Sequence, residues 1–164
     1  MVFLVNLPKT DTNNLNKILH HEIYENFMDL ILPKHTPEIL ETTFDSVYLY
    51  DHPLYSLMAE KTAMKWLLVV PKKALDAEDD LAYIQNLYGS IYQLIGFMQK
   101  HKIGEHFNIT KIGNKNPNQH IHLIFREEND EVWPDAVWCH EPLKPSLITP
   151  EELKLALKGF YQNL

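Results

Sequence analysis

The spacing of hydrophobic positions predicts three helices in this chain. Apolar residues recur every three or four positions over residues 12–32 and again over residues 79–100, so each stretch is expected to form an amphipathic helix. The second stretch predicts the longest helix of the protein. A last helix is expected to begin at Thr149, which would cap it ahead of Pro150 and Glu152.

Short β-branched and aromatic segments between these helices predict strands. Residues 66–71 form a continuous apolar run that ends at a proline, which is typical of a strand buried on both faces. Pro33 and Pro37 predict a turn-rich connection after the first helix. Further strands are expected at residues 47–50, 55–59, 106–112 and 119–125. This order of elements favours an α+β sandwich in which helices pack on an antiparallel sheet.

Length, charge and cysteine content narrow the class of protein. The 164 residues fit one domain with extensions, and a chain of this length can fold without a disulfide. The single cysteine, Cys139, cannot form an internal disulfide, which favours a reducing compartment. The net charge of −7 argues against nucleic-acid binding, and no apolar run reaches the ~20 residues that span a bilayer. We therefore expect a cytoplasmic protein with neither nucleic acid nor membrane as a partner.

The predicted strand over residues 119–125 carries the side chains with chemical potential. Side chains two positions apart on a strand point to the same face, so His120 and His122 are expected to project together. Ile121 and Leu123 are expected on the opposite face, in the core. The plainest interpretation is a pair of exposed histidines on an ordinary half-buried strand.

A metal site is a second interpretation of the two histidines. Neutral imidazole binds transition metals, and Glu127 follows at a spacing that resembles the ligands of cupins. Cupins, however, are all-β and rich in glycine, whereas this chain has five glycines and lacks their second motif. A metal-binding domain using His120 and His122 is therefore a distant alternative, and no cofactor is expected.

Nucleophilic catalysis by one imidazole is the third interpretation. A neutral imidazole can attack phosphorus with Nε2 when an acceptor holds its Nδ1–H group. A second histidine two residues on can donate to a phosphate oxygen or to the leaving group. The polar loop at residues 113–117 adds amide N–H groups that can help to cradle an anion.

Several motifs, in order along the chain, resemble the histidine-triad (HIT) family. The segment NQHIHLI at residues 118–124 is similar to the family signature His-φ-His-φ-His-φ-φ with the first histidine replaced. The run WLLVVPK at residues 66–72 is similar to a family strand that ends in Val-Pro-Lys/Arg. The segment WPDAVW at residues 133–138 resembles the tail of a bacterial branch of the family. The resemblance covers roughly residues 45–140.

The resemblance implies an α+β domain around an antiparallel sheet, usually assembled as a homodimer. Family members hydrolyse or transfer nucleotides at the α-phosphate through a nucleotidyl-histidine intermediate, without an obligatory metal. His120 matches the nucleophile, and His122 matches the last histidine of the triad, near the phosphate and leaving group. Asn108 matches an asparagine that helps to line the nucleotide site.

Two positions depart from the family pattern. Asn118 stands where most members have the first histidine, and Trp66 stands where many have another histidine on the phosphate side. In the family, the backbone carbonyl at the position of Asn118 orients the nucleophile, so His120 can still be activated without that side chain. The alternative function is a nucleotide-binding or scaffold protein of the same fold that has lost turnover.

The expected site comprises two catalytic residues and five residues that bind the substrate. The catalytic residues are His120 and His122. The expected substrate-binding residues are Asn108, Asn118, Gln119, Lys115 and Trp66. Arg126, the only arginine in the chain, is expected to form a surface ion pair with the acidic residues that follow it.

The chain is expected to have three parts. Residues 1–44 are predicted to form an N-terminal helical extension, residues 45–127 a HIT-like domain, and residues 128–164 a C-terminal tail and helix. Trp133 and Trp138, in the tail, are expected to pack the dimer rather than to stack on a base. The resemblance allows three classes of substrate: a dinucleoside polyphosphate, a nucleoside phosphoramidate and a sugar nucleotide.

Overall fold

The described part of the chain is built around a five-stranded β-sheet. The computed structural model describes residues 32–75, 78, 80–140 and 142–162, and nearly all of the helix predicted over residues 12–32 lies outside them. The strands are β1 (Val47–Asp51), β2 (Tyr55–Ala59), β3 (Lys65–Pro71), β4 (His106–Thr110) and β5 (Ile121–Arg126). The helices are α1 (Pro37–Phe44), α2 (Leu81–Lys100) and α3 (Ile148–Tyr161), with a 3-10 turn at Val137–Cys139.

The sheet is antiparallel throughout, in the order β1-β2-β3-β5-β4. The chain leaves β3 through helix α2, forms the edge strand β4, and returns as β5 between β3 and β4. The predicted α+β class with helices on an antiparallel sheet is therefore confirmed. The continuous apolar run of β3 is buried from Trp66 to Pro71, as expected for a central strand.

Both faces of the sheet are covered, each by its own hydrophobic cluster. The first cluster joins Ile121 and Leu123 of β5 to helices α2 and α3. The second cluster joins alternate residues of the central strands to α1 and to the segment after β5. Every residue of β5 is buried, so the interpretation of two histidines exposed on a half-buried strand is wrong.

The segment after Pro33 contains a helix that the sequence did not predict. Pro37 was expected to lie in a turn-rich stretch, but it begins helix α1, since proline suits the first turn of a helix. Leu40 and Phe44 from this helix pack into the second cluster. Packing against the sheet, rather than a long periodic pattern, therefore accounts for this short helix.

Some predicted boundaries also differ from the structure. Helix α3 begins at Ile148, and Thr149 does not cap it. Instead the backbone N–H of Thr149 donates to Ser146 Oγ at 3.2 Å. Strand β4 ends at Thr110 and β5 begins at Ile121, so the loop between them is longer at both ends than the apolar pattern suggested.

The division of the chain at residues 44 and 127 stays a prediction. Leu40 and Phe44, from the predicted extension, share a cluster with Val132 and Val137 from the predicted tail. Both flanking segments therefore contribute to the core that covers one face of the sheet. No helix in the described part of the chain is long and apolar enough to cross a membrane.

Candidate functional site

The two histidines of the predicted site lie side by side at the start of β5. His122 pairs with Leu68 of β3 and with Thr110 of β4, and His120 immediately precedes the strand. Their ring centroids are 4.6 Å apart and the rings are nearly perpendicular, at 81°. Each residue is only 6% exposed, so the surrounding groups, rather than bulk water, set the protonation of both rings.

The ring of His120 is held by a backbone carbonyl. Its Nδ1 lies 2.6 Å from the carbonyl oxygen of Asn118. Because a carbonyl oxygen can only accept, Nδ1 carries the proton and Nε2 keeps its lone pair. Burial lowers the pKa of His120, opposed by the Asn118 carbonyl and assisted by the charge of Lys111. The neutral ring therefore has the tautomer of a nucleophile.

The ring of His122 is held in the opposite way. The indole Nε1–H of Trp66 donates to its Nδ1 at 3.0 Å. An indole N–H can only donate, so a neutral His122 carries its proton on Nε2. Burial, followed by the charge of His120, lowers the pKa of His122 to about 4, while the Ile112 carbonyl acts in the opposite direction. His122 is therefore a neutral hydrogen-bond donor near pH 7.

A cavity of about 370 Å³ opens beside the two rings. Its walls combine aromatic and aliphatic side chains with amides and two charged groups. They are Phe44, Glu60, Trp66, Leu68, Ile112, Asn114, Lys115, Asn116, His120, His122 and Trp138. The mixture of apolar walls and a few convergent donors is typical of a small-molecule site.

Solved structures of similar fold are histidine-triad proteins. One from Bradyrhizobium japonicum is 26% identical with a TM-score of 0.64, and the match covers 78% of this chain and 97% of that one. A second, from Sinorhizobium meliloti 1021, is 24% identical with a TM-score of 0.62, and the match covers 79% of this chain and 96% of that one. A third, from Marinobacter aquaeolei VT8, is 21% identical with a TM-score of 0.62, and the match covers 81% of this chain and 98% of that one. The chain shares the fold of these histidine-triad proteins, which supports the family resemblance found in its sequence. It matches no protein-family model and no curated protein.

The loop before β5 is held by an asparagine that sequence reasoning did not single out. Asn116 Oδ1 accepts from the backbone N–H of Asn118 at 3.0 Å and from its side-chain amide at 2.8 Å. The side-chain amide of Asn116 donates to the carbonyl of Thr43 at 3.0 Å. These bonds hold the residue whose carbonyl orients His120 and tie the loop to the end of α1. The sequence signal for this role of Asn116 was its position in a polar loop, two residues before Asn118.

The predicted substrate-binding residues separate into two groups. Trp66 and Lys115 line the cavity, and Asn118 supports it from the loop. Gln119 bridges Leu75 N–H and the Lys73 carbonyl, at 2.8 and 2.9 Å, and does not line the cavity. The structure therefore brings two of the five predicted side chains to the cavity, whereas Asn118 contacts His120 through its backbone carbonyl.

Asn108 also lies apart from the cavity walls. Its Oδ1 accepts from Arg126 at 3.3 Å, and its amide donates to the carbonyl of Phe107. The substrate contact that the resemblance implies for Asn108 stays a prediction. Sequence reasoning also missed Phe44 and Glu60 as cavity residues, because the fold brings them from segments distant in the chain.

Arg126 forms the expected ion pair, but the pair is buried rather than on the surface. Its Nε and Nη2 donate to the two carboxylate oxygens of Asp130, at 2.6 and 3.1 Å. Its Nη1 donates to the carbonyl of Asp135 at 3.0 Å. Arg126 is only 4% exposed, so these contacts anchor the segment that follows β5.

That segment brings Trp138 over the histidine pair. The Trp138 ring lies edge-on to His122 at 5.2 Å and to Trp66 at 5.7 Å. Trp138 thus packs within the chain and forms one wall of the cavity, while the dimer packing expected of it stays a prediction. Trp133 instead lies over the guanidinium of Arg126, at 5.5 Å.

The geometry does not favour a metal at the histidine pair. Within the described ranges, no group of three or more His, Cys, Asp or Glu side chains is placed to hold a metal ion. The Nδ1 atoms of both histidines are engaged by protein groups. Glu127, the third ligand in the metal interpretation, pairs with Lys65.

Proposed function

We propose that this chain hydrolyses or transfers nucleotides at the α-phosphate through a nucleotidyl-histidine intermediate on His120. The proposal combines the similarity to histidine-triad proteins with the tautomers of the two buried rings. The observation that carries it is the 2.6 Å hydrogen bond from His120 Nδ1 to the carbonyl of Asn118. That bond leaves the Nε2 lone pair available for attack on phosphorus.

The surrounding groups support the same chemistry. The Nε2–H of His122 and the amides of Asn114 and Asn116 are donors for phosphoryl oxygens, whose negative charge grows during the attack. Lys115, at the exposed loop, adds a positive charge at the cavity. The site is thus suited to one phosphoryl group even though the whole chain carries a charge of −7.

Phe44 and Trp138 give the cavity aromatic walls. Planar apolar walls suit a nucleoside base, and the phosphate would then lie against the histidine pair. In this arrangement His120 and His122 act on the phosphate, while Asn118, Trp66 and Lys115 support them. The proposal retains a substrate contact for Asn108 and for Gln119, although neither residue lines the cavity.

The experiment is to offer the full chain a panel of nucleotides and to measure its intact mass. Dinucleoside polyphosphates, nucleoside phosphoramidates and sugar nucleotides make up the panel. We expect a mass increase of one nucleotidyl group on the wild type, followed by release of the nucleotide. The adduct should be absent in His120→Ala.

Two other results would favour the alternative functions, a binding or scaffold protein and a metal-binding domain. Tight nucleotide binding without adduct or product indicates a binding or scaffold protein and contradicts catalysis on this panel. Stoichiometric metal that is lost in His120→Ala indicates a metal-binding domain. A matched control is His106→Ala, because His106 is an exposed histidine outside the cavity walls and should keep the adduct.

We also propose that the protein acts in the cytoplasm as a homodimer, as the family resemblance implies. The edge strand β4 is the element available for pairing at one end of the sheet. Light scattering on the purified chain would give the mass of a dimer. A mass of one chain at working concentrations contradicts this part of the proposal.

A further inference from the structure

We propose that Trp66 is a positioning residue that keeps the proton of His122 on Nε2, and that it thereby restricts the site to leaving groups that depart as anions. Phosphate and diphosphate are such leaving groups, whereas an amine is not. The inference rests on the nucleophilic role proposed for His120. It narrows the substrate class to nucleotides joined through a phosphoric anhydride.

The contact that carries this inference is buried and has a fixed polarity. Trp66 and His122 are each 6% exposed, so water competes little for the hydrogen bond between them. The indole Nε1–H lies 3.0 Å from His122 Nδ1. The indole cannot reverse its role, because it has one N–H group and no acceptor.

Burial and the Trp66 contact oppose a positive charge on the ring of His122, whereas the Ile112 carbonyl favours one. A proton added at Nδ1 would face the indole N–H, so two donors would point at each other. The ring of His120 stands 4.6 Å away on the same face. Lys115 and Glu60 are the charged side chains along the same cavity, and Lys115 lies on an exposed loop. His122 therefore stays neutral, with its Nε2–H as the donor.

This protonation state limits what His122 can do for a leaving group. A neutral imidazole is a far weaker acid than an imidazolium ion, so its Nε2–H stabilises a phosphoryl oxygen without giving up the proton. Departure of an amine requires a proton on nitrogen during cleavage. Departure of a phosphate does not, because the anion is stable near pH 7.

The reaction balances without an added acid. The Nε2 lone pair of His120 forms the N–P bond, and the P–O bond to the leaving phosphate breaks with its electron pair on that oxygen. A water molecule then attacks phosphorus and releases one proton to solvent. The electron pair of the N–P bond returns to Nε2, while Nδ1–H stays bonded to the Asn118 carbonyl.

Nuclear magnetic resonance of the full chain with ¹⁵N-labelled histidine tests the positioning role. Long-range ¹H–¹⁵N correlation near pH 7 distinguishes a protonated ring nitrogen from an unprotonated one. We expect the wild type to show His122 protonated on Nε2 and His120 protonated on Nδ1. Trp66→Phe keeps an aromatic ring but removes the donor, so His122 should become a mixture of tautomers.

Trp138→Phe is the matched control for that measurement. It also replaces an indole that contacts His122, at 5.2 Å, but this indole has no hydrogen bond to the ring. The tautomer of His122 should be unchanged in this variant. A wild-type His122 protonated on Nδ1, or a Trp66→Phe spectrum that keeps the wild-type tautomer, overturns the positioning role.

Kinetics on two probes test the leaving-group restriction. Diadenosine tetraphosphate supplies an anhydride and adenosine 5′-phosphoramidate supplies an amine leaving group. We expect the wild type to favour the anhydride in kcat/KM by about tenfold or more. Trp66→Phe should reduce that preference by about tenfold below about pH 6, because His122 can then be protonated and act as an acid.

The two experiments separate the possible failures. Wild-type enzyme that cleaves the phosphoramidate as well as the anhydride, or an unchanged preference in Trp66→Phe, overturns the restriction. If neither probe reacts and no adduct forms, the proposed function and the restriction both fail. The magnetic-resonance result would still decide whether Trp66 sets the tautomer of His122.

Discussion

The Nδ1–H of His120 donates to the backbone carbonyl of Asn118 at 2.6 Å, so the group that orients the proposed nucleophile belongs to the main chain. The departure of Asn118 from the family pattern therefore leaves the orienting acceptor in place. What the side chain of Asn118 does instead is to donate to Asn116 at 2.8 Å within the loop.

Asn118→Ala is accordingly expected to keep the tautomer of His120. Losing one side-chain hydrogen bond should cost about 1 kcal/mol, so the rate of adduct formation should fall by no more than about tenfold. Intact-mass measurement of the adduct over time gives this rate. A loss as complete as that of His120→Ala would show that the side chain, and not the carbonyl, activates the nucleophile.

Protonation of His122 is expected to make stability depend on pH. Its pKa is lowered to about 4 in the folded protein, first by burial and then by His120, whereas the unfolded chain regains the ordinary value of 6.5. Between these values the unfolded state binds a proton that the folded state does not. The free energy of unfolding should therefore fall as pH drops from about 6.5 to 4, by roughly 3 kcal/mol from this residue.

Urea unfolding at several pH values measures this dependence. Burial also lowers the pKa of His35, His52 and His120, so the wild type alone does not isolate one residue. The His122→Phe variant removes only the contribution of His122, and its stability should change less over the same pH range. Equal slopes for both proteins would contradict the assignment.

The buried pair of Arg126 and Asp130 is expected to be important for stability. The side chain of Asp130 is only 10% exposed, and burial alone would raise its pKa, but the hydrogen bond from Arg126 leads the interactions that lower it. Arg126→Met would leave this carboxylate buried without its cation. We expect the free energy of unfolding to fall by about 3–5 kcal/mol.

Lys61→Met provides the comparison for Arg126→Met. Lys61 pairs with Asp45 at 2.6 Å, but the Asp45 side chain is 92% exposed. Water screens this surface pair, so its loss should change stability by less than about 1 kcal/mol. Similar unfolding free energies for the two variants in urea would show that the Arg126 pair contributes no more than a surface pair.

Two glycines should respond in opposite ways to replacement by alanine. A Cβ at Gly104 would lie 2.6 Å from Cγ and 2.8 Å from Cβ of Phe125, both nearer than atoms can approach. Gly104→Ala should therefore destabilise the protein, typically by about 1–3 kcal/mol. Gly96 lies inside α2 with no atom within 4 Å of a new Cβ, so Gly96→Ala should stabilise it by up to about 1 kcal/mol. Thermal unfolding of both variants checks the two signs.

Elements with long or continuous apolar patterns were predictable because their signals are local. The period of three to four residues locates α2, and the continuous run locates β3, since both patterns follow from the geometry of a single segment. Helix α1 was not predicted, because what stabilises it is not local in the sequence. It has eight residues, and Leu40 and Phe44 pack against a sheet whose strands come from elsewhere in the chain.

The sequence by itself indicated that His120 and His122 project together, because side chains of an extended segment alternate with a period of two. It also identified the motifs that resemble the histidine-triad family. Only the tertiary structure decided which groups surround the pair. Trp66 reaches His122 across 56 positions of sequence because β3 lies beside β5, with Leu68 opposite His122. Contacts of this kind depend on strand order and register, which are set by packing over the whole sheet rather than by any local pattern.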